Sequence, residues 1–526
     1  MGPFASNPRL RAIAALAVGA VSAFAFQPVG LWPLMPLALA VLCELVWQAK
    51  SLRGALLVGW LFGLGQFVIG LNWIATAFTY QAAMPAWLGW IAVVLLSLYL
   101  ALYPALATGL AWRFKATRPA ALVITLAGAW PVTEWLRGTI FTGFPWNPLG
   151  VTLADTPWLK VSTLIGTYGL GALVVLAAGA AWFALRRRWQ GAAVIAAVLG
   201  LSLLWPQPMV PPPESRNLTT LPNPLPKRPF RGDYVRVVQP NIGQDVRWQS
   251  SFADEGLRRL LALSMKPGGQ RPRLLLWPES AVTEPLEDSR PAAAPYAQAV
   301  RTQAAALIGP DEYLLAGGLA VFSQDDRTIS GAANSIFVLG QGGRELGRYD
   351  KAHLVPYGEY LPMRPLLSAI GLSRLAPGDM DFASGPGPRT IALPGWGKVG
   401  FQLCYEMIFS GEVVDRRNRP DFIFNPSNDS WFGRWGPPQH LAQAQLRAAE
   451  EGLPVIRSTP TGISAVIDAH GRIVQALPWH TAGVIDTVMP NAAASPTLFA
   501  RFGNLIPLLL AFALLLTGIV LGRTRR

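Results

Sequence analysis

Cysteine is nearly absent from this chain: two residues in 526. That excludes a disulfide-stapled scaffold, and Cys43, inside an apolar segment, is poorly placed to pair with Cys404 in a polar one. An unpaired thiol facing an oxidising compartment is a liability unless it reacts. Histidine is almost as scarce. His353, His440, His470 and His480 show no His-x-x-x-His spacing and have no paired cysteines beside them, so no metal site is expected. His440, just after Pro437-Pro438-Gln439 at a helix start, reads as a structural or surface residue. No glycine-rich phosphate loop follows a strand, and Gly340–Gly343 fits a hairpin turn better. No cofactor is expected. Lysine is rare too, seven against thirty-seven arginines. A lysine in a polar loop therefore stands out, because a compact ammonium is not interchangeable with a guanidinium.

What is abundant is apolar surface, 52% of residues. Spanning a bilayer takes about 20 mainly apolar residues in a helix. Runs near 10–26, 31–48, 54–77, 86–112, 119–136, 161–184, 190–206 and 503–522 qualify, so eight transmembrane helices are expected. The first is not followed by a small-residue cleavage site and is read as retained. The net charge of +14 could suggest nucleic acid, but its location excludes that. Residues 1–205 carry twelve Lys/Arg against three acids, the tail adds Arg523, Arg525 and Arg526, and residues 206–522 are almost balanced. A phosphate-binding groove would need its excess in the polar part. Instead the basic clusters Arg9/Arg11, Lys50/Arg53, Arg113/Lys115/Arg118, Arg186–Arg188 and the tail mark alternate sides of the spans. By the positive-inside rule both termini are cytoplasmic and residues 207–500 lie outside the cytoplasmic membrane.

The expected organisation is a membrane domain at 1–206 with seven transmembrane helices and a linker at 207–232, too proline-rich for helix or central strand. An α/β domain follows at 233–490, and a last transmembrane helix with a cytoplasmic tail at 491–526. Within the α/β domain, strand-like runs at 234–239, 273–277, 313–321, 334–339, 389–393, 398–404, 421–425, 454–458, 463–467 and 483–488 alternate with helical stretches at 252–264, 293–308 and 438–451.

Function collects where such strands end. Arg273-Leu274-Leu275-Leu276-Trp277-Pro278-Glu279 is a buried-looking strand stopped by proline, with Glu279 just beyond. Asp350-Lys351-Ala352-His353 offers a lysine, and Glu359 follows in the same polar segment. Cys404 ends the run Phe401-Gln402-Leu403 and precedes Tyr405-Glu406. A carboxylate can take the thiol proton, while an ammonium lowers the thiol pKa and stabilises an oxyanion. Together the three groups suffice for acyl transfer through a thioester. Trp248, Trp431 and Phe432 in polar-domain loops, with Trp146 in Phe144-Pro145-Trp146, suit a lipid interface or a cover over the site.

Trp-Pro-Glu at 277–279, Lys351 in Asp-Lys-Ala-His and Cys-Tyr-Glu at 404–406 resemble the nitrilase superfamily, whose members use Glu, Lys and Cys in that chain order. With the spans, Glu-Trp-Leu-Arg-Gly at 134–138, Leu-Val-Pro-Tyr-Gly-Glu at 354–359 and Asn-Asp-Ser-Trp-Phe-Gly at 428–433, the chain is similar to the membrane-embedded apolipoprotein N-acyltransferase family. The resemblance implies a four-layer α-β-β-α sandwich in the periplasm of a bacterial inner-membrane protein. It implies ping-pong transfer of an acyl chain from a phospholipid to the N-terminal S-diacylglyceryl-cysteine of an apolipoprotein. Cys404 would be the nucleophile, Glu279 the base, Lys351 the oxyanion stabiliser and Glu359 a supporting carboxylate. Tyr405 and Glu406 would flank the nucleophile, and Trp248, Trp431, Phe432 and Trp146 would meet substrate. Partners are then a phospholipid donor, a diacylglyceryl apolipoprotein acceptor and the membrane, with the protein a monomer. A membrane-anchored amidase or nitrilase with the same triad is the alternative. A transporter fits less well, because the spans hold few ionisable residues beyond Glu44, Glu134 and Arg137.

Overall fold

The computed structural model describes residues 7–80, 85–211, 234–243, 253–268, 271, 273–369 and 380–523. Trp248 and the prolines from Pro212 to Pro229 lie outside them.

Helices form at all eight expected apolar runs, and among the described residues five are long and apolar enough, by length and composition, to cross a membrane: Pro8–Ala25, Leu52–Gly70, Leu88–Phe114, Pro157–Leu185 and Leu505–Arg523. They make this a membrane protein. Leu34–Trp47 and Trp189–Ser202 have 14 residues each, because the apolar composition runs on into the turns beyond them. Pro119–Thr139 is long enough, but it buries the ionisable Glu134 and Arg137 in its last turns. Arg137 is satisfied there by the carbonyls of Phe144 (3.1 Å) and Trp146 (2.8 Å), so a charged side chain fixes the loop that leaves this helix.

The polar region contains two sheets. In the first, β1 (Tyr234–Gln239) lies between β13 (Gly483–Val488) and β2 (Arg273–Leu276), followed by β4 (Tyr313–Phe322), β5 (Gly331–Leu339) and β6 (Glu345–Asp350), with β3 (Pro285–Asp288) beside β4. The second runs β12 (Ile473–Ala476), β11 (Ala465–Ile467), β10 (Val455–Ser458), β9 (Phe422–Pro426), β8 (Gly397–Phe401) and β7 (Thr390–Leu393). Alternation along the strands decides which face each side chain takes. Val235, Val237, Leu274 and Leu276 of one sheet share a core with Phe422, Phe424, Ile456 and Val466 of the other. Leu275 and Leu314 point the other way, onto Leu260 and Leu263 of the helix Ala253–Ser264 and Val300 of Ala294–Ala304. Gly340–Gly343 lies in the turn of the β5–β6 hairpin.

The helix Gly436–Glu451 ties the two regions together. Pro437 and Pro438 open it without losing a needed N–H, and Gly452 closes it at φ +64°. Leu441, Ala444 and Ala448 pack on the second sheet. Ala442, Leu446 and Ala449 pack on the apolar helices. Both faces are occupied, which explains its almost complete burial. At its end Glu450 accepts hydrogen bonds from Thr167 N (2.6 Å) and Thr167 Oγ1 (2.7 Å), just after the kink at Gly166 in Ser162–Leu185. A carboxylate of the polar region thus caps the second half of a membrane helix.

Candidate active site

Each of Glu279, Lys351 and Cys404 is placed by the end of a strand. β2 stops at Trp277-Pro278, and the turn carrying Glu279 lies flat on β4. It can approach because residue 317 is glycine: a Cβ there would sit 2.6 Å from both the Pro278 oxygen and the Ser280 nitrogen. Lys351 follows β6, whose register on β5 sets Ser335 opposite Asp350 and closes with Lys351 N donating to Asn334 O (2.9 Å). That register brings the Asn334 side chain to the same place. Cys404 follows β8 at the start of the turn Cys404–Ile408, with φ +53°, sparsely populated for a residue with a Cβ.

Glu279, Lys351, Glu359 and Asn334 form one buried cluster. Lys351 Nζ lies 2.9 Å from Glu359 Oε1 and 3.6 Å from Glu279 Oε1. Asn334 Nδ2 donates to the same two oxygens, at 2.8 Å to Glu279 and 2.9 Å to Glu359. Glu359 Oε2 accepts from Val355 N (2.9 Å). Burial alone would lower the Lys351 pKa, but the carboxylates of Glu359 and Glu279 outweigh it and hold the ammonium above its ordinary range. Burial pushes the Cys404 thiol well up, Glu279 adds to this, and Lys351 opposes it. At rest Cys404 is therefore a thiol, and forming its thiolate calls for a base.

Glu406 holds the two segments of this site in one piece. Its Oε1 accepts from Tyr349 Oη (2.7 Å), Ala352 N (2.7 Å) and His353 N (3.0 Å), and its Oε2 from Leu403 N (2.6 Å). One carboxylate therefore fixes the lysine loop against the cysteine turn. Tyr405 Oη donates to Gly143 O (3.0 Å) and His353 Nε2 to Thr142 O (2.8 Å), which seats the cysteine turn on the loop after Pro119–Thr139. Between that loop and the lysine segment lies a cleft of about 710 Å³, lined among others by Thr139, Phe141, His353, Leu354, Tyr360 and Phe382.

The aromatic residues divide. Trp431 meets Tyr80 edge-on (5.8 Å), and Phe432 packs on Trp73 (4.6 Å), so this loop rests on side chains from the apolar helical region. Trp146 is fully buried, 5.4 Å from His440, and donates to Gln439 Oε1 (2.8 Å). Its position is a packing one between the two regions. His440, expected as a structural or surface residue, is wholly buried and touches the backbone of Cys404. Sequence reasoning did not find Asn334, Asp429, Arg457 or this contact of His440. A signal existed for two of them: Asn334 and Arg457 are polar residues inside strand-like runs, and such residues are buried only with partners. Among the described residues no group of three metal-ligating side chains occurs.

Residues 18–180 match the family profile described as apolipoprotein N-acyltransferase N-terminal domain, and residues 234–495 the profile described as carbon-nitrogen hydrolase. Proteins named apolipoprotein N-acyltransferase are similar along nearly their whole length. That of Rhodopseudomonas palustris is 36% identical over 518 residues, covering 94% of this chain and 92% of that protein. That of Bradyrhizobium diazoefficiens is 36% identical over 528 residues (96% and 94%). That of Caulobacter vibrioides is 35% identical over 533 residues (99% and 95%).

Proposed function

The chain belongs to the apolipoprotein N-acyltransferase family, and we propose that Cys404, Glu279 and Lys351 carry its acyl transfer in two half-reactions. Glu279 takes the Sγ proton of Cys404 as the sulfur attacks an ester carbonyl of a membrane phospholipid. The developing oxyanion is stabilised by the Lys351 ammonium. The tetrahedral intermediate collapses by breaking the ester C–O bond, and the departing lysophospholipid oxygen recovers the proton from Glu279. A thioester on Cys404 remains. The α-amine of an N-terminal S-diacylglyceryl-cysteine then attacks the thioester, and Glu279 passes the amine proton to the leaving sulfur. Product is the N-acylated lipoprotein, and the free thiol is regenerated.

The observation that carries this reading is the buried Glu279–Lys351–Glu359 cluster electrostatically coupled to a lone raised-pKa thiol. An ammonium held charged in a buried site is of use where negative charge develops. The cleft between the 138–142 loop and the lysine segment suits substrates whose acyl chains stay in the bilayer.

In the same reading, the eight apolar helices all span the membrane, with both termini cytoplasmic. Residues 233–490 are periplasmic and form a four-layer α-β-β-α sandwich, and the protein works as a monomer. The alternation of basic clusters supports the orientation, and the shared core between the sheets supports the layering. Intact-protein mass spectrometry after mixing with phospholipid tests the chemistry. The expected result is a fatty-acyl adduct that hydroxylamine removes and that Cys404→Ala never forms. A hydroxylamine-stable adduct, or one that survives in Cys404→Ala, would overturn the assignment.

A further inference from the structure

His440 Nε2 lies 3.1 Å from the carbonyl oxygen of Cys404. A carbonyl only accepts, so this nitrogen carries a proton and donates it. The other ring nitrogen, Nδ1, lies 3.0 Å from both Asp429 Oδ1 and Arg457 Nη2. Arg457 Nη2 is in turn 2.7 Å from each Asp429 oxygen, while Arg457 Nη1 reaches Asn425 Oδ1 (2.5 Å) and Ser427 Oγ (2.9 Å). All three charged or polar side chains are fully buried. Burial, then the Arg457 charge, lowers the His440 pKa while Asp429 raises it, so Nδ1 is enclosed by a buried ion pair whatever its protonation. Asp429 is matched by Arg457 in a fully buried ion pair (2.7 Å). Its walls are close: a Cβ on Gly462 would come within 2.5 Å of Asp429 Oδ2.

The backbone at Cys404 sits at φ +53° and needs support on both flanks. Before it, Leu403 N–H is held by Glu406 (2.6 Å); after it, the Cys404 carbonyl is held by His440. We propose that His440, oriented by the Asp429–Arg457 pair, is a positioning residue that fixes the Cys404 carbonyl and thereby aims the thiol in both half-reactions. The inference rests on Cys404 being the acylated residue.

The test uses the full chain in detergent–phospholipid micelles, with His440→Leu and His440→Gln. Three quantities are read: single-turnover formation of the acyl-thioester, alkylation of Cys404 by iodoacetamide, and the melting temperature. His440→Leu is expected to slow acylation about 10–100-fold by misaiming the thiol, with alkylation slowed as well and KM for phospholipid unchanged. His440→Gln, whose amide can donate to the carbonyl, is expected to recover most of the rate at the same melting temperature as the leucine variant. Wild-type rates in His440→Leu, or equal slowing in both variants, would overturn the proposal. Should the leucine variant not fold, His440→Asn, with its shorter reach, replaces it against glutamine under the same criteria. If wild-type protein takes no acyl group from phospholipid yet alkylation still separates leucine from glutamine, the acyl-transfer reading fails and the positioning role stands.

Discussion

Asn334→Leu removes one amide from the centre of the site and leaves the β5–β6 backbone as it is. Asn334 Nδ2 bridges Glu279 Oε1 (2.8 Å) and Glu359 Oε1 (2.9 Å), and Lys351 Nζ approaches the same two oxygens. Two donors thus hold a pair of carboxylates together, and only one of them is a cation. A buried hydrogen bond to a charged group contributes about 1.5–3 kcal/mol. Leucine fills a similar volume, so lost packing adds little. Both bonds vanish from the folded state, but in the proposed mechanism only the one to Glu279 bears on proton removal from Cys404. At about 1.4 kcal/mol per decade of rate, that single bond corresponds to acyl-thioester formation slowed about 10–100-fold. The bond to Glu359 shows up instead as reduced resistance to unfolding, because Lys351 remains 2.9 Å from that carboxylate and keeps it paired. Quenched single-turnover reactions read by intact mass measure the first effect, and thermal melts in the same detergent the second. A folded variant that acylates within about twofold of wild type would refute the role given to Asn334 in holding the base.

Three further outcomes follow from the same geometry. Since burial raises the Cys404 pKa well above the ordinary thiol range, and the thiolate is the reactive form, iodoacetamide alkylation should be slow at neutral pH and climb about tenfold per pH unit past pH 9; an early plateau would contradict this. Gly317→Ala should slow acylation by up to about 100-fold while leaving the far-ultraviolet circular dichroism intact, because its Cβ would displace the Glu279 turn from 2.6 Å contacts and a misplacement of about 1 Å costs that much; wild-type acylation would refute it. Glu406→Gln turns one of its oxygens into a donor facing a buried donor, at a cost of about 1–3 kcal/mol, so its melting temperature should fall further than that of Tyr349→Phe, which deletes a single hydroxyl contact.

The residues proposed to carry the chemistry could be singled out in the sequence because each ends a recognisable strand. Glu279, Lys351 and Cys404 are separated widely in sequence, yet each sits just past an apolar or β-branched run, where a strand must stop. Ten strand-like runs correspond to strands. β3, β6 and β12 escaped because Pro-Leu-Glu-Asp, Glu-Leu-Gly-Arg-Tyr-Asp and the exposed Ile-Val-Gln-Ala lack an uninterrupted apolar signature; what defines them is pairing with β4, β5 and β11. Asn334 was hidden for a different reason. Its function comes from register, since the hairpin that puts Ser335 opposite Asp350 also puts the amide between two carboxylates, and register is decided by the turn and the buried face together. Of the two readings of His440, structural or surface, the structural one holds, but its contact was hidden because the partner is a backbone carbonyl 36 residues away, which no local pattern announces. The two 14-residue apolar helices fell short of the expected spans because composition alone does not say where a helix turns.

The same contacts place the cysteine turn on the side of its domain that meets the apolar helical region. Four hydrogen bonds join that neighbourhood to the apolar helical region: Tyr405 to Gly143, His353 to Thr142, Trp146 to Gln439, and Gln439 to Gly70. Each net contribution is about 0.5–1.5 kcal/mol, too small to hold a domain alone but together enough to select one orientation. Three of the four come from the 142–146 loop, and that loop is itself fixed by Arg137 through two carbonyls. Tyr405 directly follows Cys404, so moving the loop moves the turn that carries the thiol. A soluble hydrolase needs no such link, because its substrate diffuses in. An enzyme whose substrates stay anchored in the bilayer does, since the distance from the reactive sulfur to the lipid surface has to be set by the protein.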